Sequence, residues 1–410
     1  MSAKVVARLV TIGAVFVAVA GALAAFAHAT RSIDAIARAP TIEDAFYALT
    51  VARNAAFGRG LATGGATTFA PTDGFQPLWV IALTPIFWLF RSDTLAALRA
   101  VSALSSVLFV AIAIVVGHRA VGRARRLEVD PRTSGAIAIA LVLGSFSTFA
   151  QTLVGLVTAL HVLTIALAVE AIGAGATWTV RALILAIACW ARLDAALFAV
   201  AYSIVAIDAR RRTGKLDRSA IAASLVAIAS LGPWMIRSVR LHGDWMPTSG
   251  GAESIRVYLF ENVRGAALAI DRWLMPTLFR PGAGARWTQL LDVAIAIGAL
   301  IAFVRGRRMQ PSSPARSQLD DGDRTLALYV AMLTVIYVTR FGAPYFMARF
   351  LAPTLLLTVP IAATWLARRP PAALAILAAT IVLDGGWYAR SLADDPAGHP
   401  NRNYTEQVHT

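Results

Sequence analysis

This 410-residue chain has little cysteine and few charged residues. It has a single cysteine, Cys189, so neither a disulfide framework nor a thiolate metal site can form within it. Only 15% of the residues are charged and 58% are hydrophobic, and the mean hydropathy is +0.64. Soluble proteins of this length do not carry so few charges between such long apolar runs. The composition predicts an all-α polytopic membrane protein.

Acidic residues are scarcer than basic ones, with 23 Asp and Glu against 38 Lys and Arg. Such an excess is typical of nucleic-acid binding, but here the basic residues cluster in short loops without interleaved aromatics, so we expect no nucleic-acid partner. The chain also has no HExxH motif, no Cys/His cluster and no Walker-type loop. We interpret the basic clusters as signals of cytoplasmic loops. They lie at 4–8, 119–126, 210–215, 305–308 and 368–369.

Cytoplasmic clusters at both ends of a segment require an even number of crossings between them. Between the first two clusters there are three apolar runs, 9–27, 76–90 and 95–118, so one of them should not cross. The run 76–90 is short, is interrupted by Pro85 and carries two tryptophans, which favours an oblique or interfacial helix on the outer side. The chain then has about 11 transmembrane helices and an exoplasmic C-terminus.

This topology divides the chain into outer and cytoplasmic segments. The outer segments are 28–94, a turn near 150–157, the large loop 238–288 and 340–349. A tight outer turn at 192–194 should join two short spans, 179–191 and 195–207, and a charged, Pro- and Ser-rich cytoplasmic linker should cover 307–324. Residues 1–366 form one transmembrane module, and 367–410 form the last transmembrane helix and an exoplasmic tail. The first apolar run ends like a signal peptide, but its length favours an uncleaved helix.

The first outer segment begins with a polar pattern. Thr41 and Asp44 have the spacing of a capping box. In a helix that starts there, Glu43, Tyr47 and Asn54 fall on one stripe, with Asp44 beside it. A cap alone does not need a polar stripe three turns long. The pattern therefore favours a lined site, with helix capping as the alternative.

Three consecutive segments resemble the first outer loop of the bacterial GT-C glycosyltransferases, integral-membrane enzymes that use polyprenyl-phosphate-linked sugars. They read EDAFYALTVARN at 43–54, GRGLATGG at 58–65 and PTDGFQPLW at 71–79. The resemblance implies two juxtamembrane helices in this loop, with an acidic pair on the first. Weaker resemblances follow in CWARLDA at 189–195, RLHGDWMPTSG at 240–250 and YFMARFLAP at 345–353, so that the likeness extends to about residue 360.

Two positions depart from the pattern of that family. The acidic pair begins with Glu43, where the family usually has Asp, and Val157 lies in a turn where many relatives have Glu. These departures leave an altered specificity or a weakened activity open.

Sugar transfer needs a base for the acceptor hydroxyl and hydrogen-bond donors or positive charge for the departing phosphate. Glu43 and Asp44 are the catalytic candidates. The resemblance points to Glu43 as the base, whereas capping gives Asp44 a structural role. Arg192 and Arg349 are candidates for binding the phosphate, because a guanidinium donates two parallel hydrogen bonds. For both arginines, snorkelling to the membrane surface is the alternative.

The other candidates for substrate binding lie in or near the outer loops. They are Tyr47, Asn54, Asp73, Gln76, His161, Asp194, His242 and Asp244. Turn chemistry is the alternative for Asp73, Gln76, His242 and Asp244, and a hydrogen bond inside the bundle is the alternative for His161.

Taken together, these features predict an inverting glycosyltransferase of the bacterial inner membrane with its site facing the periplasm. Its partners would be a polyprenyl-phosphate sugar donor, a cell-envelope glycan or lipid acceptor, and membrane lipids. No cofactor is certain and no metal ligand is assigned, although a divalent metal on Glu43 and Asp44 stays open. Two alternatives remain: a transporter or flippase of lipid-linked glycans, which would carry ionisable residues deep in several spans, and a catalytically inactive GT-C relative.

Overall fold

The computed structural model describes residues 3–31, 43–64, 69–153, 157–245, 259–274, 320–340 and 347–392. This part of the chain is almost entirely helical. Its first nine helices are α1 Ala3–Ala29, α2 Glu43–Ala56, α3 Pro77–Leu89, α4 Thr94–Arg126, α5 Pro131–Leu143, α6 Phe146–Leu153, α7 Thr158–Gly173, α8 Trp178–Ala191 and α9 Ala196–Thr213. They are followed by α10 Arg218–Ala229, α11 Gly232–His242, α12 Leu259–Leu274, α13 Asp321–Arg340, α14 Met347–Phe350, α15 Leu355–Ala367, α16 Pro370–Ala379 and α17 Gly385–Leu392.

Short irregular elements connect some of these helices. Turns of 3₁₀ helix lie at Leu193–Ala195 and Ala352–Thr354, and a π turn lies at Thr380–Asp384. Strands β1 (Ala62–Thr63) and β2 (Ala70–Pro71) pair antiparallel in the first loop.

Three helical stretches in the described residues are long and apolar enough to cross a membrane: Val5–Ala29, Thr94–Arg126 and Arg218–His242. A fourth would be the pair α5 and α6, which is bent by 62°. The prediction of an α-helical membrane protein is confirmed at this level. Helices α7 and α8 have 16 and 14 residues. At about 1.5 Å per residue, both are shorter than a hydrocarbon core of about 30 Å. The count of 11 crossings therefore stays a prediction.

Aspartate caps start three of the helices. Asp93 accepts a hydrogen bond from the backbone N–H of Ala96 at the start of α4, and Asp217 accepts one from Ala220 at the start of α10. Asp130 accepts from two backbone N–H groups of the first turn of α5, where Pro131 is the first residue. These side chains satisfy donors that a helix start leaves without partners.

Glycines allow α1 and α5 to pack closely. A Cβ added to Gly21 would lie 2.0 Å from the carbonyl oxygen of Leu143, so only glycine fits where the two backbones meet. Gly144 follows directly, and α5 ends there before the chain bends into α6. Small residues at such crossings are typical of helices that pack in membranes.

The structure bears on several of the predicted boundaries. The run 76–90 is found as α3, with Gln76 as its N-cap residue, and the turn at 192–194 joins α8 to α9 as expected. The predicted linker 307–324 is wrong at its end, because the Asp320 carboxylate accepts a hydrogen bond from the Asp323 N–H at 2.8 Å and α13 begins at Asp321. Most of that linker lies outside the described residues. The predicted division at 366/367 falls at the end of α15.

Candidate functional site

The segment predicted to be the first outer loop contains two helices, α2 and α3, that run in the same direction. Near their starts, the Tyr47 hydroxyl hydrogen-bonds to Thr72, and beyond their ends Arg91 lies over the ring of Phe57. Between them is a second hydrophobic core, separate from the main core of the bundle, which includes Trp79 of α3. Two residues of the following helix α4, Ala97 and Val101, belong to this second core, and three from farther along the chain join it: Val157, Ala191 and Trp234. The loop therefore docks on the start of α7, the end of α8 and α11.

The acidic pair occupies the first two positions of α2, which begins at Glu43. A carboxylate at this position is stabilised by the positive end of the helix dipole. The side chains of Glu43 and Asp44, and the predicted cap Thr41, lie outside the described part of the structure.

The polar stripe of α2 faces the ribbon that connects it to α3. Asn54 is buried, and its Nδ2 donates to the carbonyl oxygen of Ala62 in β1 at 2.9 Å. The Tyr47 hydroxyl hydrogen-bonds to the hydroxyl of Thr72, the residue that follows β2. The Thr72 hydroxyl also accepts a hydrogen bond from the Gly74 N–H at 3.3 Å. The contacts observed for Tyr47 and Asn54 are thus with the loop itself, and their binding of a substrate stays a prediction.

A carboxylate–imidazole contact joins the two segments that were predicted to be the large outer loops. Asp73 is fully buried, and its Oδ1 lies 3.2 Å from Nε2 of His242 at the end of α11. One turn earlier, Arg237 donates to the carbonyl oxygens of Leu61 and Thr72 at 3.2 and 3.1 Å. Helix α11 is therefore fixed to the backbone on both sides of the ribbon, and it brings together two predicted site residues 169 positions apart in sequence.

Gln76 and Asp244 lie at the edges of this arrangement. Gln76 immediately precedes α3, and its Oε1 is buried without a hydrogen-bond partner among the described residues. Asp244 is exposed just after the end of α11. Gln76 is thus adjacent to the Asp73–His242 pair, and its acceptor oxygen is available for a donor.

Arg192 and Asp194 form a buried pair inside the turn between α8 and α9. The Arg192 guanidinium donates from Nε to Oδ1 of Asp194 at 3.1 Å and from Nη2 to Oδ2 at 2.7 Å. The Tyr337 hydroxyl of α13 bonds both partners, at 3.0 Å from Arg192 Nη2 and 2.5 Å from Asp194 Oδ2. Because Ala191 and Leu193 flank Arg192 and pack on the second core, this turn lies against the first loop.

Aromatic rings extend the Arg192 turn towards α14. Arg192 lies 5.2 Å from the ring centroid of Phe350, and that ring stacks on Tyr337 with centroids 4.0 Å apart. Arg349 is 6.0 Å from the same ring. The two arginines predicted to bind phosphate therefore share one aromatic neighbour.

His161 lies in the same part of the bundle, on α7. It is fully buried, and its Nε2 is 3.2 Å from the Tyr329 hydroxyl of α13. Its Nδ1 is buried without a hydrogen-bond partner among the described residues. One ring nitrogen of His161 thus makes a hydrogen bond inside the bundle, as the alternative interpretation expected. The other ring nitrogen has no hydrogen-bond partner among the described residues.

Sequence reasoning missed Tyr337, Tyr329 and Arg237, which hold the predicted residues in position. The two tyrosines lie eight residues apart in an apolar helix, where aromatic residues are usually core. Their hydroxyl partners come from segments 140 or more residues away, so no local pattern signals them. Arg237 lies in a basic stretch of sequence. Its partners are backbone carbonyls, which a pattern of side-chain types does not indicate.

A metal site gains no support from the residues that the structure describes. No group of three or more His, Cys, Asp and Glu side chains is close enough there to hold an ion. The side chains of Glu43 and Asp44 are not among those described, so a divalent metal on that pair stays a prediction.

Fold and site together define an α-helical membrane protein in which most of the described candidate residues lie at one end of the helices. No protein-family model matches the chain, and no curated protein matches its sequence. What the protein does must therefore be argued from its own residues.

Proposed function

We propose that the protein is an inverting glycosyltransferase that moves a sugar from a polyprenyl-phosphate-linked donor to a cell-envelope glycan or lipid acceptor. One observation carries the proposal. Most of the described residues picked out by the resemblance come from distant segments, yet they lie on elements that share the second core, at the same end of the bundle as the start of α2, and Arg349 is joined to them through the Phe350 ring that it shares with Arg192.

The chemistry assigned to each group follows from its setting. Glu43 and Asp44 open α2, and one of them takes the proton from the acceptor hydroxyl as it attacks the anomeric carbon. The bond between that carbon and the phosphate oxygen breaks, and the departing phosphate needs hydrogen-bond donors. Arg349 supplies a guanidinium at this end of the bundle. Arg192 is bound to Asp194. It therefore acts by positioning the turn and through the electrostatic field of its positive charge.

The donor and acceptor sides also have candidates in the outer loops. Gln76 and the Asp73–His242 pair supply an amide oxygen, a carboxylate and an imidazole, which hydrogen-bond to sugar hydroxyls. The distribution of basic loops favours the periplasmic side of the inner membrane for this end of the bundle. The identity of the sugar is set by the shape of these loops.

Single replacements of the acidic pair test the proposal. In E43Q and D44N, we expect transfer of radiolabelled sugar from a polyprenyl-phosphate donor to fall at least 100-fold in the variant that removes the base, because general bases contribute about 10²- to 10⁴-fold. D208N, an exposed carboxylate of α9, is the matched control. Wild-type transfer in both E43Q and D44N would sink the assignment of the base, and no transfer by the wild type would favour an inactive relative.

The second function, a transporter or flippase of lipid-linked glycans, is favoured by one feature. Helices α5 and α6 are bent by 62°, and the buried Asp384 accepts a hydrogen bond from the Phe146 N–H at the break, at 3.0 Å. Asp384 itself lies in a π turn. Broken helices beside a buried carboxylate are typical of transporters. If D384N abolishes movement of a lipid-linked glycan across vesicles while sugar transfer is absent in the wild type, transport replaces the enzyme.

A further inference from the structure

Three exposed arginines of the first outer loop surround one phenylalanine ring. The Cζ atoms of Arg53, Arg59 and Arg91 lie 5.5, 5.6 and 5.7 Å from the ring centroid of Phe57. Arg53 precedes Phe57 by four residues, or one turn of α2. Gly58, with φ +75°, turns the chain so that Arg59 returns to the ring, and Arg91 arrives from the end of α3. We call these four residues the arginine cage.

The described residues give the cage positive charge and no salt bridge to a carboxylate. In the part of the chain that the structure describes, Arg119, Arg126, Arg181 and Arg192 all form salt bridges with Asp or Glu. No salt bridge there includes an arginine of the cage. Three guanidinium groups around one ring repel each other, and stacking on the ring compensates for this only in part. An anion among them would remove the repulsion, so the geometry is that of an anion site.

Apolar surface adjoins the cage on α3. Trp88 and Leu89, in the last turn of that helix, are 60% and 67% exposed, and Arg91 follows two residues later. Exposed apolar side chains of this size need lipid around them, and tryptophan favours the level of the head groups. The surface therefore suits an amphiphile, with hydrocarbon along α3 and a phosphate within the cage.

The position of the cage on α2 decides between two sources of phosphate. Phe57 is 14 residues from Glu43, which is about 21 Å along a helix. In the proposed reaction the departing phosphate is bonded to the sugar carbon under attack, so it must lie next to the acidic pair. A phosphate in the cage is too far away to be that group. The ligand is then a lipid that does not react.

We propose that Arg53, Arg59 and Arg91, arranged around Phe57, bind the phosphate of an anionic phospholipid in the outer leaflet of the membrane that contains the protein. This lipid holds the end of the α2–α3 pair at the level of the head groups. The choice of a lipid that does not react rests on the proposed function, whereas the measurement that tests the cage is of lipid binding alone.

Native mass spectrometry of the purified full-length protein in detergent, titrated with phosphatidylglycerol, tests the proposal. The triple variant R53Q/R59Q/R91Q should bind the lipid about 100-fold more weakly, since each arginine near a membrane surface contributes about fivefold. The matched control is R125Q/R210Q/R211Q, which removes three exposed arginines elsewhere and should retain the tightest-bound lipid. If the triple variant does not fold, R91Q and F57L are measured singly, and each should weaken binding about fivefold.

Three results would overturn the proposal. Equal binding of phosphatidylglycerol by the wild type and the cage variants would exclude a role for the cage. Displacement of the lipid by inorganic phosphate at the same concentration would show an anion site without lipid recognition. If polyprenyl phosphate binds the wild type at least tenfold more tightly than phosphatidylglycerol and only its binding is lost in the variants, the cage belongs to the donor.

Discussion

The two ends of the helix bundle treat buried charge differently. At the end away from the first loop, Arg119 donates to Glu170 at 3.0 Å and also to Asp323, and Arg126 donates to Asp320 at 2.8 Å. These five residues, which we call the far-end clasp, connect α4, α7 and the start of α13. Each carboxylate has an arginine, and Arg119 and Asp323 are each only 7% exposed.

The candidate site contains groups of another kind. Its buried pair, Arg192 and Asp194, belongs to a single turn, and its side-chain to side-chain hydrogen bonds with other segments are made by tyrosine and histidine. Imidazole and phenol groups can donate or accept a hydrogen bond. A clasp of fixed charges holds helices together. A network with hydroxyl and imidazole members can rearrange around a substrate.

The largest effect should come from breaking the clasp. D323A leaves the buried Arg119 with one carboxylate, Glu170, instead of two, and loss of a hydrogen bond between buried charged groups costs about 2–3 kcal/mol of stability. Thermal unfolding of the detergent-purified protein, followed by tryptophan fluorescence, measures it. D321A is the control, because the Asp321 side chain is 53% exposed and lies 3.6 Å from Arg324. Equal effects of D323A and D321A would contradict the distinction between the two ends.

A second variant applies the same logic to the candidate site. R192K keeps the charge but loses the paired hydrogen bonds to Asp194, and we expect a loss of about 2 kcal/mol in stability. Sugar transfer should fall at least tenfold at a temperature where the variant is folded. R181K is the matched control, because Arg181 binds Asp217 and Ser219 away from the site. If R181K lowers transfer as much as R192K, the Arg192 turn is a structural element only.

Acidification should weaken the clasp more gradually. Burial of the Asp320 carboxyl raises its pKa. Hydrogen bonds from the Asp323 N–H and the Arg126 guanidinium lower the pKa by more than burial raises it, so the pKa lies below its ordinary value. A lowered pKa in the folded state gives stability that is present above the unfolded value of about 3.9 and is lost as the pH falls through the folded value.

The unfolding temperature of the wild type should therefore fall when the pH is lowered below about 4. In D320N the unfolding temperature should fall less over the same pH range. D208N, at an exposed position of α9, should follow the wild-type curve. Parallel curves for D320N and the wild type would show that Asp320 does not contribute.

Local patterns predicted much of the helical framework. Basic loops and apolar runs located α3 and the turn between α8 and α9, because both depend on neighbours in sequence. The break between α5 and α6 was not predicted. The Phe146 amide at this break donates a hydrogen bond to Asp384, which is 238 residues away and so outside any local pattern.

The candidate site was predictable by residue type but not by contact. The sequence pointed to Asp73 and His242 separately, and their contact appears only when α11 docks on the loop. The stripe on α2 shows the opposite limit. The spacing correctly placed Tyr47 and Asn54 on one side of α2. It could not tell whether Asn54 faces a cavity or a backbone carbonyl, and in the structure Asn54 binds the Ala62 carbonyl.

The smallest effect should come from the hydroxyl of Tyr47, and it bears on the role of the stripe. Y47F and T72V each remove the side-chain bond between α2 and the end of the ribbon, and a hydrogen bond of this kind contributes about 1 kcal/mol. If the bond only fixes the loop, the double variant should be no less stable than T72V alone. Sugar transfer by Y47F and by T72V should then be equal. A larger loss of transfer in Y47F than in T72V, at equal unfolding temperature, would mean that the Tyr47 hydroxyl meets the substrate as the stripe predicts.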